Sequence, residues 1–382
     1  MADLPLTWDA VLRGRLTRQH LLERAGPDEL LSVTSALGGL HAQLTSSAEL
    51  TVAARVDGLP RTAVADALAV ERTLVKTWAV RGTLHLLPSD ELPTWIAALS
   101  TYRHFEKPSW QKAFVPLEDL LAIIDAVGEV LDDALLTREE LASAVEQRTG
   151  SARLGEEVRS SWGAVLKPAA FRGRLCFATN DGQRVRFTRP DSWLGRAEWP
   201  QVDPDAALAT LARTYLRVHG PATREDLARW IALPPARAGA VLRSLGDEVT
   251  PVDVEGRRCL GLTATVTEDL ERAADGAPST VDRTVRLLPA FDQYVVGGSR
   301  EVEAVLAPEH RPRVFRPQGW LSPVLLVDGR IEGVWRHERK GARLAVAVEP
   351  FDPLPAAVRA GVEAEVERLA AWFDLEAELT LT

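Results

Sequence analysis

The residues with the best claim on chemistry are a histidine and a carboxamide separated by one alanine, His41-Ala42-Gln43. They follow a helical pattern that runs out at Gly38-Gly39-Leu40. They precede a second one whose start, Ser46-Ser47-Ala48-Glu49, reads as a capping box. In extended backbone, side chains two apart leave the chain on the same side, so His41 and Gln43 point together while Ala42 turns inward. An imidazole exchanges a proton near neutral pH, and a carboxamide orients water without changing its own charge. The two form a candidate water-holding pair, set against the ordinary reading of polar loop residues as simply solvated.

A second polar group is Arg81-Gly82-Thr83-Leu84-His85-Leu86, where strand alternation places Arg81, Thr83 and His85 on one face suited to phosphate or base edges. From Phe171 to Arg189 five arginines face only Asp181, and Arg172, Arg174, Arg184 and Arg186 are the candidate DNA contacts there. Arg336 joins them from the basic run Arg336-His337-Glu338-Arg339-Lys340. For all of these a solvated surface is the competing reading. The formal net charge of −9 excludes a uniformly basic nucleic-acid binder but not one basic face, since Glu118 to Glu146 holds nine acids against Arg138 alone. Forty of the 45 basic residues are arginine, whose planar fork suits phosphate, although a genomic bias in composition explains the excess equally well.

Other chemistries lack their residues. The chain has no GxxxxGK[ST], no strand-linked GxGxxG and no HExxH, and its seven histidines are unclustered, so neither cofactor nor metal is expected. Gly297-Gly298-Ser299 reads as a turn rather than a phosphate nest. Cys176 and Cys259 have no partner spacing and read as buried small apolar residues. No basic leader opens the chain, and no apolar run approaches the roughly 18 residues of a membrane span, so a cytoplasmic protein without a membrane partner is expected.

The elements that must position these groups come next. At 382 residues, 46% hydrophobic and 26% charged, the chain has material for several cores. One helix start recurs: Leu16-Thr17-Arg18-Gln19-His20-Leu21, Leu136-Thr137-Arg138-Glu139-Glu140-Leu141 and Ala222-Thr223-Arg224-Glu225-Asp226-Leu227. In each, threonine is the expected cap, and Glu140 and Asp226 complete capping boxes in the later two. Each copy leads through further helical pattern into a strand pair: Trp78 to Leu87, Arg174 to Thr188 turning at Asn180-Asp181-Gly182, and Val252 to Leu262 turning at Glu255-Gly256. Three helices and a two-stranded wing make a winged helix. Strands follow at Thr284 to Leu288, Tyr294 to Val296, Val324 to Val327, Arg330 to His337 and Arg343 to Val348. A helix from Leu354 to Phe373 and a last strand from Glu376 to Leu381 close the chain. The expectation is an α+β protein of three tandem winged helices, 1–113, 114–200 and 201–280, with a β-barrel-like C-terminal domain, 281–382, that carries a terminal helix. Trp95 to Gln111 reads as an insertion and Ala274 to Thr280 as the nearest thing to a linker.

With these segments in hand, the chain resembles the winged-helix DNA glycosylases typified by AlkZ and YcaQ. The similar segments are Gly39-Leu40-His41-Ala42-Gln43, Arg81-Gly82-Thr83-Leu84-His85-Leu86, Leu287-Leu288-Pro289-Ala290-Phe291-Asp292-Gln293-Tyr294 with Gly297, and Pro323 to Arg330 through Val334-Trp335-Arg336. They span nearly the whole chain in order. The resemblance implies winged helices around a concave DNA cleft and excision of N7-alkylated purines from double-stranded DNA, with crosslink unhooking in some members and a recurrent role in antibiotic self-resistance. It also puts the family's Gln-x-Gln or Gln-x-Asp catalytic motif on His41 and Gln43, with histidine in place of the first glutamine. Bulky single adducts, a monofunctional hydrolysis and a monomer are the corresponding expectations. The alternatives are a non-catalytic winged-helix regulator, which binds sequence-specifically and forms no abasic product, and a relative in which the histidine marks lost activity.

Overall fold

Thr137 and Thr223 each accept a hydrogen bond from the backbone N–H three residues on, and Glu140 and Asp226 accept one from the threonine N–H in return. Both capping boxes are therefore complete, and the helices Arg138–Thr149 and Arg224–Ile231 begin where the sequence places them. The first copy behaves differently. Thr17 lies at the end of the helix Trp8–Arg18, which is capped by Thr7, and its hydroxyl donates back to the Arg13 carbonyl at 3.0 Å. With His20 at the box position there is no carboxylate to accept from the threonine N–H, so this copy cannot complete a capping box. The box expected at Ser46 to Glu49 is likewise not formed, because the helix Thr45–Ala53 begins at Thr45 behind Leu44, which makes no side-chain cap.

The structure, a computed structural model, describes residues 3–161, 163–196, 199–274 and 283–382. It divides into two compact units, Met1–Ala63 with Ala212–Thr382, and Val64–Leu211. The expected linker from Ala274 to Thr280 falls, beyond Ala274, outside the described residues.

The first unit holds two sheets. In one, the hairpin of Val249–Val254 and Arg257–Leu262 is joined on its outer side by Leu4–Leu6 in parallel. Glu255 and Gly256 both take positive φ, 50° and 90°, the geometry of the tight hairpin turn that their sequence signals. Val252, Val254 and Cys259 from this sheet bury themselves against Trp8 and Val11.

The other sheet runs in the order Val285–Leu288, Val324–Val327, Arg330–Lys340, Arg343–Pro350, Glu376–Leu381, antiparallel except for the parallel last pair. Its two outer strands do not meet, so the barrel-like closure expected of this region is replaced by an open five-stranded sheet. The reason lies in the terminal helix Ala356–Trp372. Its Val358, Val362, Val366 and Leu369 pack on Val285, Leu287, Trp335 and Val346, covering the apolar face that closure would otherwise turn inward. The expected strand from Tyr294 to Val296 is instead part of the short helix Gln293–Gly297, because Asp292 caps it by accepting from the Tyr294 N–H at 2.9 Å.

In the second unit, the antiparallel strands lie in the order Leu84–Pro88, Leu74–Trp78, Cys176–Phe177, Arg186–Thr188, Leu136–Thr137. Helices Leu117–Val130, Arg138–Thr149 and Ala152–Ser160 pack on one another. Leu92–Leu99 and Pro108–Ala113 supply the helical part of the segment read as an insertion. Both cysteines are buried and free. The molecule is thus a mixed helix and sheet fold, and no helix among the described residues is long and apolar enough to cross a membrane.

Candidate active site

Between the helices Leu30–Ala36 and Thr45–Ala53 the chain makes a sharp passage through Gly38 and Gly39, at φ 69° and 87°, into the short strand Leu40–His41. Gly38 is required twice over: its φ is left-handed, and a Cβ there would stand 3.2 Å from the Thr214 methyl and 3.4 Å from the Trp230 ring. The next glycine is held by its carbonyl, which accepts from Gln293 Nε2 at 2.6 Å. His41 then lies buried with its ring stacked on Phe291, centroids 4.7 Å apart and planes 11° from parallel. Ala42 is fully buried and Gln43 is exposed. The expectation that the two side chains leave extended backbone on one side does not hold, because the strand ends at His41: the imidazole is buried while the carboxamide faces solvent.

The shelf beneath His41 is built from the segment Phe291-Asp292-Gln293-Tyr294. Phe291 has φ 60°, which turns the chain so that its ring meets the imidazole and Asp292 points into the interior. Asp292 is fully buried and receives two hydrogen bonds from Arg55, both 2.7 Å, in a side-by-side guanidinium–carboxylate pair. Arg55 also donates to the Thr51 carbonyl at 2.8 Å and to Gln19 Oε1 at 3.4 Å, and Gln19 in turn donates to the Val218 carbonyl. Tyr294 donates to the Gly329 carbonyl at 2.6 Å, tying the shelf to the Asp328-Gly329 hairpin. Four successive residues therefore have four separate anchors: a ring stack, an ion pair, a carboxamide–carbonyl bond and a phenol–carbonyl bond. A buried pair of this kind adds little net stability over an apolar substitute, but it fixes one arrangement because either charge left alone is costly.

Reading the residues alone singles out His41 and Gln43 but not Arg55, Phe291, Asp292 or Gln293 as parts of one site. A signal was present: Arg55 follows the largely apolar stretch Leu50 to Ala54, and Asp292 interrupts the largely apolar run Leu287 to Val296. A lone charge of each sign in otherwise buried sequence calls for a partner. Nothing in the spacing says that the two are each other's.

The second polar group belongs to the other unit, and its expected geometry changes. Arg81 lies in a short turn, Val80–Gly82, with φ 57°, and the strand begins only at Leu84. The alternation that put Arg81, Thr83 and His85 on one strand face therefore does not apply. Thr83 donates its hydroxyl to the Val80 carbonyl at 2.9 Å. His85 is buried, paired across the hairpin with Thr77, its Nδ1 3.1 Å from the Thr83 carbonyl. Arg172 sits 5.5 Å from the centre of the Phe105 ring, Arg174 is exposed, and Arg186 donates to Thr179. Arg184 pairs with Asp181 at the tip of its hairpin, and the exposed Arg336 pairs with Glu349 on the next strand. Among the described residues no three His, Cys, Asp or Glu side chains gather as a metal site.

The chain belongs to the AlkZ-like DNA glycosylase family, whose model matches residues 34–372, a span that includes His41, Gln43, Arg55 and the whole Phe291 to Tyr294 shelf. Its class of enzyme is DNA glycosylase. It is 40% identical over 334 residues to the interstrand DNA cross-link repair glycosylase of Streptomyces sahachiroi, with 86% of this chain and 87% of that protein covered. The solved structure of Streptomyces sahachiroi DNA glycosylase AlkZ matches it with a TM-score of 0.87 at 37% identity, over 99% of this chain and 100% of that one.

Proposed function

We propose that this glycosylase hydrolyses the N-glycosidic bond of N7-alkylated purines in double-stranded DNA, taking bulky, natural-product-derived adducts and leaving an abasic site. The observation that carries the reading is the ring-stacked imidazole of His41 held two residues before the solvent-facing carboxamide of Gln43. Alkylation at N7 already makes the purine cationic, so the base leaves without a strong general acid. What remains for the enzyme is to place water and to stabilise an oxocarbenium-like sugar. The C1′–N9 bond breaks with its electron pair going to the purine, which neutralises the N7 charge. Water held by the Gln43 amide oxygen bonds to C1′ and passes its proton to the His41 imidazole. A neutral ring suits this role, because an imidazolium repels the developing sugar cation.

The relative's name gives it an interstrand crosslink substrate, and unhooking by this chain is the corresponding extension. Genotoxin self-resistance or repair is the role that fits such a substrate. For the DNA-holding surface we assign three winged-helix modules with the boundaries 1–113, 114–200 and 201–280. Support comes from the capped helices Arg138–Thr149 and Arg224–Ile231, each followed by a further helix and an antiparallel strand pair. Arg81, Thr83, Arg172, Arg174, Arg184, Arg186 and Arg336 are its proposed contacts, with buried His85 a support for the turn rather than a contact. A monomer completes the reading.

The test is incubation of the protein with duplex DNA alkylated at guanine N7, followed by hot alkali. Strand breaks at the alkylated guanines, lost in the His41→Ala/Gln43→Ala double variant, are the expected result. Binding without breaks in the unmodified protein would leave a DNA-holding scaffold and no enzyme.

A further inference from the structure

Among the described residues Trp320 is the one exposed tryptophan. It is 43% exposed, while Trp110, Trp199 and Trp372 are partly buried and Trp8, Trp78, Trp95, Trp193, Trp230 and Trp335 are buried. A single exposed apolar residue needs no explanation by itself, but the position of this one does. Its ring meets Phe291 edge to face, centroids 5.1 Å apart, and Phe291 is the ring on which His41 is stacked. Imidazole, phenyl and indole thus form one continuous aromatic series that begins in the interior and ends in solvent.

The indole is also presented by a rigid device. Phe315 and Leu321 bridge as antiparallel partners, and the turn between them is closed by hydrogen bonds from the Arg316 N–H to the Trp320 carbonyl, 2.8 Å, and from the Trp320 N–H to the Pro317 carbonyl, 3.3 Å. Gln318 and Gly319 hold left-handed φ, 60° and 77°, so the tip is a defined reverse turn. Its base is buried through Val314 and Leu321, which share a core with Phe291, Tyr294 and Leu288. Residues Arg316 to Gly319 are exposed beside Trp320.

We propose that Trp320 is a specificity-determining residue whose indole face stacks on the flat aromatic system of the damaged purine and its N7 substituent. The claim rests on the glycosylase reading above. Base–aromatic stacking depends on ring area, and a cationic purine adds attraction to the indole face. A fused polycyclic substituent therefore gains more from Trp320 than a methyl group does. The role is in substrate capture and not in proton transfer, since Trp320 reaches His41 only through Phe291.

The experiment uses the full chain and two duplexes of one sequence, one carrying N7-methylguanine and one an N7-guanine adduct with a fused polycyclic aromatic ring system, under single-turnover conditions. Release of at least one base by the unmodified protein upholds the glycosylase reading; release of neither overturns that reading and the role of Trp320 with it. For Trp320→Ala the expected result is a rise of at least about fivefold in the half-saturating protein concentration for the polycyclic adduct, with a smaller rise for N7-methylguanine. The rate at saturation and the affinity for undamaged duplex stay within about twofold, and Trp320→Phe recovers most of the loss. A smaller rise, equal loss on both adducts, or an equal fall in affinity for undamaged DNA overturns the proposal. An unchanged thermal melting curve for Trp320→Ala, expected because the side chain is exposed, separates these outcomes from misfolding.

Discussion

Two regions of the molecule, one in each unit, treat charge in opposite ways. Around His41, the charged residues of the first unit are buried and committed: Arg55 and Asp292 are both fully buried, and their bonds run to each other, to the Thr51 carbonyl and to Gln19. In the second unit, the arginines from Phe171 to Arg189 lie at the surface with local partners, such as Arg184 on Asp181 and Arg186 on Thr179. A buried pair cannot exchange partners without stranding a charge, so it holds geometry. An exposed pair of two mobile side chains contributes little stability and gives up its partner to a phosphate at small cost. The contrast fits the proposed division of labour, with positioning at the Arg55–Asp292 shelf and adaptable contact at the arginines from Phe171 to Arg189.

The sharpest way to break this contrast is to strand Arg55. Asp292→Ala is expected to cost about 3–5 kcal/mol in urea denaturation, because it leaves a buried guanidinium unpaired and also removes the cap on Gln293–Gly297. The double variant Arg55→Met/Asp292→Leu should recover most of that stability while base release stays low, since the shelf loses its specified geometry. A single variant that costs under about 1 kcal/mol would mean that the pair is not the anchor it looks like.

A smaller effect is expected at Asp226, which lies in a capping box of the first unit. Burial pushes its carboxyl upward, but the N–H and hydroxyl of Thr223, together with Arg257 and Arg229, outweigh this and hold its pKa at about 2. The folded value is below the unfolded one, so the stabilisation is fully present above the unfolded pKa of about 4 and is lost as pH falls toward the folded value. Asp226→Asn should therefore cost about 2 kcal/mol at pH 7, with the difference shrinking below about pH 4. Equilibrium unfolding across pH checks this, and a constant offset at every pH would show that the charge is not responsible. The smallest effect on stability belongs to the second unit. Arg184→Ala should change it by less than about 0.5 kcal/mol, yet lower the slope of log affinity for DNA against log salt by about one. An unchanged slope would remove Arg184 from the DNA surface.

The features legible in the sequence were those with short-range causes. The turn at Glu255-Gly256 and the boxes at Thr137 and Thr223 each depend on residues within a few positions. Thr17 departs from the pattern because Thr7 starts its helix ten residues earlier, leaving Thr17 in the last turn with its hydroxyl on the Arg13 carbonyl. The stretch Tyr294 to Val296 reads as strand by its β-branched residues, but Asp292, fixed by Arg55 far away in the chain, starts a helix there. The barrel failed for a similar reason: the sheet's apolar face is recognisable, but not that a helix would cover it. For the site, His41 and Gln43 were visible as residue types. Their support was not, because the Gly39 to Gln293 and Arg55 to Asp292 contacts join residues more than two hundred positions apart.

The claim that chemistry resides at His41 and Gln43 is tested most directly by comparing Gln43→Ala with Arg81→Ala, measuring single-turnover base release and DNA affinity at one fixed salt concentration. The expected result is that Gln43→Ala lowers the rate at saturation by at least about a hundredfold with little change in affinity, whereas Arg81→Ala weakens binding and leaves that rate within about threefold. Equal loss of rate in both variants, or a Gln43→Ala protein that releases base at the unmodified rate, would contradict it.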